Sequence, residues 1–197
     1  MRQRNRFVLA ILLFLFSYPL FLGIWIYVKP FYGTGLTHIG TRLAVLTMGG
    51  VVEKIVTDKE EASVTLVRSF VTNHGIADMV LDLKLSVSKY SFNVPLTFAL
   101  ITGLLPIFRW QKGTLLEAVL ILVFVHLLYI YSYCCLQMYN SFIISGIQAR
   151  SNISRFFWEF FWAFTDNMVI RFEPFLVIMY LWLRNIHGAK PVTNQRA

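Results

Sequence analysis

Four ionisable residues, Glu159, Asp166, Arg171 and Glu173, fall within one short stretch of this chain, and an aromatic run from Phe156 to Phe164 that includes Trp158 and Trp162 surrounds the first of them. Carboxylates beside a guanidinium in apolar surroundings can do three kinds of work. They can form a structural ion pair that fixes a helix bundle, make a buried polar contact with a membrane partner or lipid head group, or act as an acid–base cluster at the outer leaflet. Arg171 cannot enter lipid cheaply as an isolated charge, so Asp166, Glu173 or Glu159 is its expected partner. Asp166 and Glu173 stand five and two positions from it, which is not the three-or-four spacing that brings side chains together on a helix. An irregular turn near Pro174, or an acid on another chain, would relieve that mismatch.

Two further groups sit in a long apolar stretch. Glu117 and His126 are nine positions apart, two and a half helical turns, and so project to roughly opposite faces. Glu117 lies near the end of the stretch, within reach of water, whereas His126 lies near its middle and reads as a hydrogen-bonded packing residue. Cys134 and Cys135 follow on the same stretch. Adjacent thiols do not bridge each other readily, and His126 is about 12–14 Å away along a helix, too far to activate either as a nucleophile. They read as packing residues. Metal-ligand spacing, Gly-rich phosphate loops, His-Glu-x-x-His and Gly-x-Ser-x-Gly are all missing from the sequence. No catalytic set, cofactor or metal site is therefore assigned. The candidate contacts to a partner or to lipid are Glu159, Asp166, Arg171, Glu173, His126, Trp158 and Trp162.

The elements that must hold these residues are apolar. Stretches at 7–28, 92–108, 115–139 and 168–183 approach or meet the roughly 20 helical residues that cross a bilayer core. Hydrophobic residues make up 57% of the chain and charged residues 14%, well below the roughly 25% charge of a soluble domain. The net charge of +8 is concentrated in Arg2, Arg4 and Arg6, in Arg109 and Lys112, and in Arg184, Lys190 and Arg196. These three segments contain no acid. Basic short loops stay in the cytoplasm, so both termini and the 109–114 loop are expected there, with 29–91 and 140–155 on the opposite side. This distribution fits topology and lipid head groups, and no nucleic-acid partner is expected. The first stretch lacks a small-residue cleavage site and reads as an uncleaved signal anchor, kinked at Pro19. Trp25, Tyr27, Phe31 and Tyr32 form an aromatic belt at its outer end.

Residues 29–91 form the one sizeable extramembrane module. Leu36, Ile39, Leu43 and Leu46 recur at helical spacing and predict a short amphipathic helix on the outer membrane surface, stopped by Gly49-Gly50. Three β candidates follow at 51–56, 62–71 and 78–88, joined by turns at 57–61 and 73–75. In the third, Met79, Leu81, Leu83, Leu85 and Val87 alternate with mostly polar residues. A three-stranded antiparallel meander is expected. It is too small to be stable alone, so its apolar face must cover the protein's own helices or a partner.

The chain resembles the exosortase H-associated inner-membrane proteins. The resemblance rests on Tyr18-Pro19-Leu20, on Val28-Lys29-Pro30, and on the junction from Leu85 through Lys89-Tyr90-Ser91-Phe92-Asn93-Val94-Pro95-Leu96 to Ala99-Leu100. It implies a bacterial envelope and an accessory role beside a membrane-embedded cysteine transpeptidase, and it transfers no catalytic residues. The resulting expectation is a membrane α+β protein, a four-helix transmembrane bundle with a small extracytoplasmic module of one helix and three antiparallel strands. Residues 1–28 hold the basic N-terminus and first span, 29–91 the outer module, 92–184 the remaining three spans with an aromatic interfacial segment at 154–167, and 185–197 a disordered cytoplasmic tail. The expected function is a non-enzymatic, multi-pass inner-membrane subunit that positions a partner membrane protein. A lipid-transport subunit and a membrane enzyme built on the polar cluster are the alternatives.

Overall fold

In the computed structural model the chain is described at residues 3–58, 60–72, 75–108, 113–146 and 151–188. Arg2, Asn73, His74, Arg109, Lys112, Lys190, Arg196 and the expected tail beyond Gly188 lie outside these residues.

Helix α1 runs from Gln3 to Met48 without a break, through Pro19 and Pro30. Its 46 residues span about 69 Å at 1.5 Å per residue. The first span and the amphipathic helix, expected as separate elements, are thus one rod. Over its second half the helix packs against the protein with a face other than its leucine side. Its buried side is the small and polar stripe Gly33, Thr37, Gly40, Thr41 and Ala44, joined by Leu36, while Ile39, Leu43 and Leu46 are exposed. The reason is close packing. A Cβ on Gly40 would come within 2.6 Å of Ile130, and one on Gly33 within 2.6 Å of Val87. Small residues let neighbouring elements approach in a way that a leucine face could not. Gly49 and Gly50, at φ of 78° and 130°, end the helix as expected.

The sheet follows at once. β1 (Val51–Thr57), β2 (Glu61–Thr72) and β3 (Gly75–Ser86) form an antiparallel meander in that order. Ala62, Val64 and Leu66 of β2 pair with Leu85, Leu83 and Leu81 of β3. The register slips between Val52 and Lys54 on β1, a bulge that twists this edge strand. Burial along β3 alternates and deepens toward Ser86, where Leu83 and Leu85 are buried. Those residues join Leu36, Val45, Tyr129, Ile130, Cys134 and Met138 in one core. The sheet is therefore a cap on the protein's own helices at its base, whereas Val71 and Ile76 at the hairpin tip remain about four-fifths exposed.

The chain then re-enters helix. Of the second span expected at 92–108 only α3 (Val94–Gly103) is regular helix, and a short α2 (Val87–Ser91) precedes it, taking in the last two residues of the third β candidate. Pro95 separates the two, because it has no N–H to return to Ser91. Phe92 and Asn93 keep helical dihedrals across the gap. α4 spans Thr114–Ile144. Residues 152–188 are continuous: α5 (Asn152–Phe164) passes through a π-helical segment at Thr165–Ile170 into α6 (Arg171–Gly188). The aromatic segment thus continues directly into the fourth apolar stretch.

Two described helices, α1 and α4, are long and apolar enough to cross a membrane. α3 has ten residues, about 15 Å, and α6 carries Arg171, Glu173 and Arg184. The ends of the rods gather together, with Arg6 and Phe7 beside Ile107 and Arg184 paired with Glu117.

Candidate functional site

The polar centre of the molecule forms where α1, α2, α4 and α6 meet. α4 contributes His126, which is fully buried. The hydroxyl of Tyr32 on α1 lies 2.7 Å from His126 Nδ1. On the other side of the ring, Nε2 lies 2.9 Å from Glu173 Oε1, and both side chains are inaccessible to solvent. With a carboxylate beside Nε2, the consistent assignment places the ring proton there and lets Nδ1 accept from Tyr32. The approach to Glu173 is oblique rather than aligned for a hydrogen bond, and Glu173 Oε2, Tyr90 Oη and Thr37 Oγ1 have no hydrogen-bond partner among the described residues. The rings of Tyr32 and Tyr90 each lie 5.6 Å from that of His126. A short polar chain, Tyr32–His126–Glu173, therefore ties three helices together inside an aromatic shell.

The π segment aims Glu173 at His126. Besides Pro174, the buried positions on this last helix are Thr165, Ile170, Glu173, Val177 and Leu181. Their spacing is five, three, four and four. The step of five is the extra residue of a π turn. An unbroken α-helix would carry Glu173 about 100° off the face that continues from Thr165. Just past the π segment the backbone has a second defect. The carbonyl of Ile170 would normally accept from residue 174, which is Pro174 and has no N–H. Asn93, buried between α2 and α3, supplies the missing donor from its side-chain amide at 2.5 Å. Buried carbonyls find partners because an unmade hydrogen bond is expensive, and here the partner comes from the junction that also holds Pro95.

The four charged residues singled out in the sequence do not converge on one cleft. Glu159 pairs with Arg155 on its own helix at 2.7 Å. Asp166 reaches Lys89 of α2 at 3.4 Å. Glu173 turns inward to His126. Arg171, expected to pair with one of these acids, has no ion-pair partner among the described residues, although all ten acids of the chain are described. The mismatch of helical spacing is resolved by partners 47 and 77 positions away. Glu117 keeps part of its side chain exposed, as expected, and also binds Arg184 at the far end of α6.

Arg171 lies on an exposed face. Phe156, Phe160, Phe164, Met168, Phe172 and Met179 are all about half exposed or more and recur at helical intervals along α5 and α6. Phe156 stacks on Phe160 at 5.9 Å and Phe160 on Phe164 at 6.0 Å. The opposite side of α5 is anchored by tryptophans. Trp162 packs against Tyr129 at 4.8 Å and Tyr133 at 5.0 Å, with Lys89 above its ring. Trp158 meets Tyr131 at 6.3 Å. Of the candidate residues, His126, Glu173, Trp158 and Trp162 hold the last helix to α4, and Arg171 faces away from it. Sequence reasoning missed Tyr32 as a partner of His126, having read it as part of an aromatic belt. It also missed Tyr90, Thr37 and Asn93. The signal for Asn93 was the pairing of two helix-interrupting prolines, Pro95 and Pro174, with one amide between them in space.

Comparison with known proteins adds one finding. No curated protein and no solved structure matches the chain. The model of one family, described as the exosortase H-associated membrane protein, matches residues 1–184 and so covers all of the elements above except the last four residues of α6. The chain belongs to the exosortase H-associated membrane protein family.

Proposed function

We propose that this protein is a non-enzymatic accessory subunit of the bacterial inner membrane that binds and positions a partner membrane protein of the exosortase type. The observation that carries this reading is Arg171, a cation with no acid of its own chain beside it, set in the exposed aromatic face of α5 and α6. A charge on an apolar, lipid-level surface is costly unless a partner meets it. Phe and Arg are also residues that enrich interface centres. A partner helix carrying a carboxylate at the level of Arg171 would satisfy both features. The family name supplies the kind of partner.

On this reading four apolar segments cross the membrane. The short α3 is completed by its flanks, and α6 carries its charges in the bundle and at its end. The basic ends lie in the cytoplasm, and the sheet stands outside it, above the bundle. The polar cluster at 159–173 is not a catalytic centre, because its members point to separate partners.

The test is co-purification of the chain with a co-expressed exosortase of the same bacterium in mild detergent. Arg171→Ala and Arg171→Glu should each lower recovery of the partner, the reversal more than the neutralisation, while the chain itself accumulates normally. Undiminished recovery with Arg171→Glu would sink the proposal.

A further inference from the structure

A second cation without an acid stands beside the start of α5. Arg68 of β2 is half-buried, and none of the chain's acids bridges to it among the described residues. Its guanidinium lies 4.3 Å from the centre of the Phe142 ring, and Nη1 donates to the carbonyl of Met48 at the end of α1 at 2.9 Å. Those two contacts hold the plane of the fork while leaving most of its five N–H donors to what lies in front of it. In front is a cavity of about 340 Å³ between α1, β2, α4 and α5, lined by Arg68 together with Thr47, Tyr139, Ser154 and Trp158. The Tyr139 hydroxyl donates to the Ser151 carbonyl at 3.0 Å and ties the start of α5 to this wall.

This polar cavity shares Thr47 with an apolar groove of about 330 Å³ between α1 and α4, lined by Leu43, Leu46, Phe124, Leu127, Leu128 and Tyr131. The hydroxyl of Tyr131 donates to Thr47 Oγ1, the lining residue common to both spaces, at 3.2 Å. Leu43, Leu46 and Phe124, the residues left exposed when the small stripe of α1 was buried, form the open side of the groove. A cation with spare planar donors, adjoining a polar chamber and then a trough of leucines, matches a molecule with an anionic head and an apolar tail. Arginine is the side chain whose fork fits phosphate oxygens two at a time. Trp158 lines the polar cavity and Tyr131 the groove, on either side of Thr47.

We infer that the Arg68 cavity and the α1–α4 groove form one binding site for an anionic membrane lipid, with its phosphate against Arg68 and one acyl chain along Leu43, Phe124 and Leu128. The site is on a different face from Arg171 and does not depend on the partner proposed above.

The experiment is native mass spectrometry of the purified full chain, titrated with phosphatidylglycerol, phosphatidylcholine or glycerol 3-phosphate. Phosphatidylglycerol should bind about tenfold more tightly than phosphatidylcholine, because both offer a phosphate to Arg68 but the choline cation offsets the charge of the second and is repelled by the guanidinium, and glycerol 3-phosphate should bind far more weakly than either. Arg68→Gln should remove the preference between the two lipids. Arg68 also closes the end of α1, so Leu128→Trp serves as a second variant. It fills the groove, leaves Arg68 in place, and should weaken both lipids about equally. Equal binding of the two lipids by the native chain would overturn the inference. So would glycerol 3-phosphate binding as tightly as phosphatidylglycerol, which marks a free-anion site, or lipid binding untouched by Leu128→Trp.

Discussion

His126 and Glu173, 47 positions apart, meet 2.9 Å from each other with neither side chain exposed. The pair joins the middle of α4 to the first turn of α6, and through Tyr32 it also holds α1. Removing one member leaves the other buried without its counterpart, which costs about 3–5 kcal/mol when the remaining group is charged. Replacing both by apolar residues of similar size removes the problem. His126→Leu and Glu173→Leu should each lower thermal stability in detergent strongly, and the double variant should recover much of the loss. Additive losses would show that the two side chains act independently.

The Asn93 amide should matter because Pro174 cannot donate to Ile170. Asn93→Ala leaves the Ile170 carbonyl without a partner and should cost about 1–3 kcal/mol. Pro174→Ala restores a backbone N–H at the position that the helix geometry requires. The loss from Asn93→Ala should therefore be smaller in a Pro174→Ala background than in the native chain. An equal loss in both backgrounds, measured by thermal unfolding, would mean that Asn93 acts through packing alone.

The sequence made some of this legible and hid the rest for physical reasons. Period-two alternation from Met79 to Leu85 is a local signal, and the burial of β3 follows it residue by residue. Gly49-Gly50 likewise announced the end of α1 through backbone geometry alone. The pairing of His126 with Glu173 was not local. It depends on a π turn that adds one residue to the register between Thr165 and Ile170, and no residue pattern in that stretch distinguishes five from four. The helix expected over 35–48 formed, with Ile39, Leu43 and Leu46 on its outer side. Helical spacing of Leu36, Ile39, Leu43 and Leu46 was real, but the small stripe at Gly33, Gly40 and Ala44 lies on the face that permits close approach, and that approach decided which side was buried. The same competition exposed the leucines that line the lipid groove.

The sheet should be stable at its base and indifferent at its tip. Leu85 is buried against the helices while Val71 and Ile76, paired across the hairpin, face solvent. Leu85→Ala should cost about 2–5 kcal/mol, whereas Ile76→Thr should stay within about 0.5 kcal/mol. Hydrogen exchange should follow the same gradient, slow at Leu83 and Leu85 and fast near Val71. Protection that is uniform along β2 and β3 in the isolated protein would contradict the packing described for the base.

Gly40 should resist replacement on α1. An added Cβ would stand 2.6 Å from a methyl of Ile130, which is itself fully buried on α4. Overpacking of this kind costs about 1–3 kcal/mol, against a gain of about 1 kcal/mol from helix propensity when glycine becomes alanine. Gly35, on the same helix with nothing within 4 Å of the equivalent position, receives the propensity gain without the clash. Gly40→Ala should therefore be destabilising, or at best neutral, and Gly35→Ala stabilising. The two melting temperatures should move apart. If both variants shift upward together, α1 and α4 are not held at the close distance that places Tyr32 against His126.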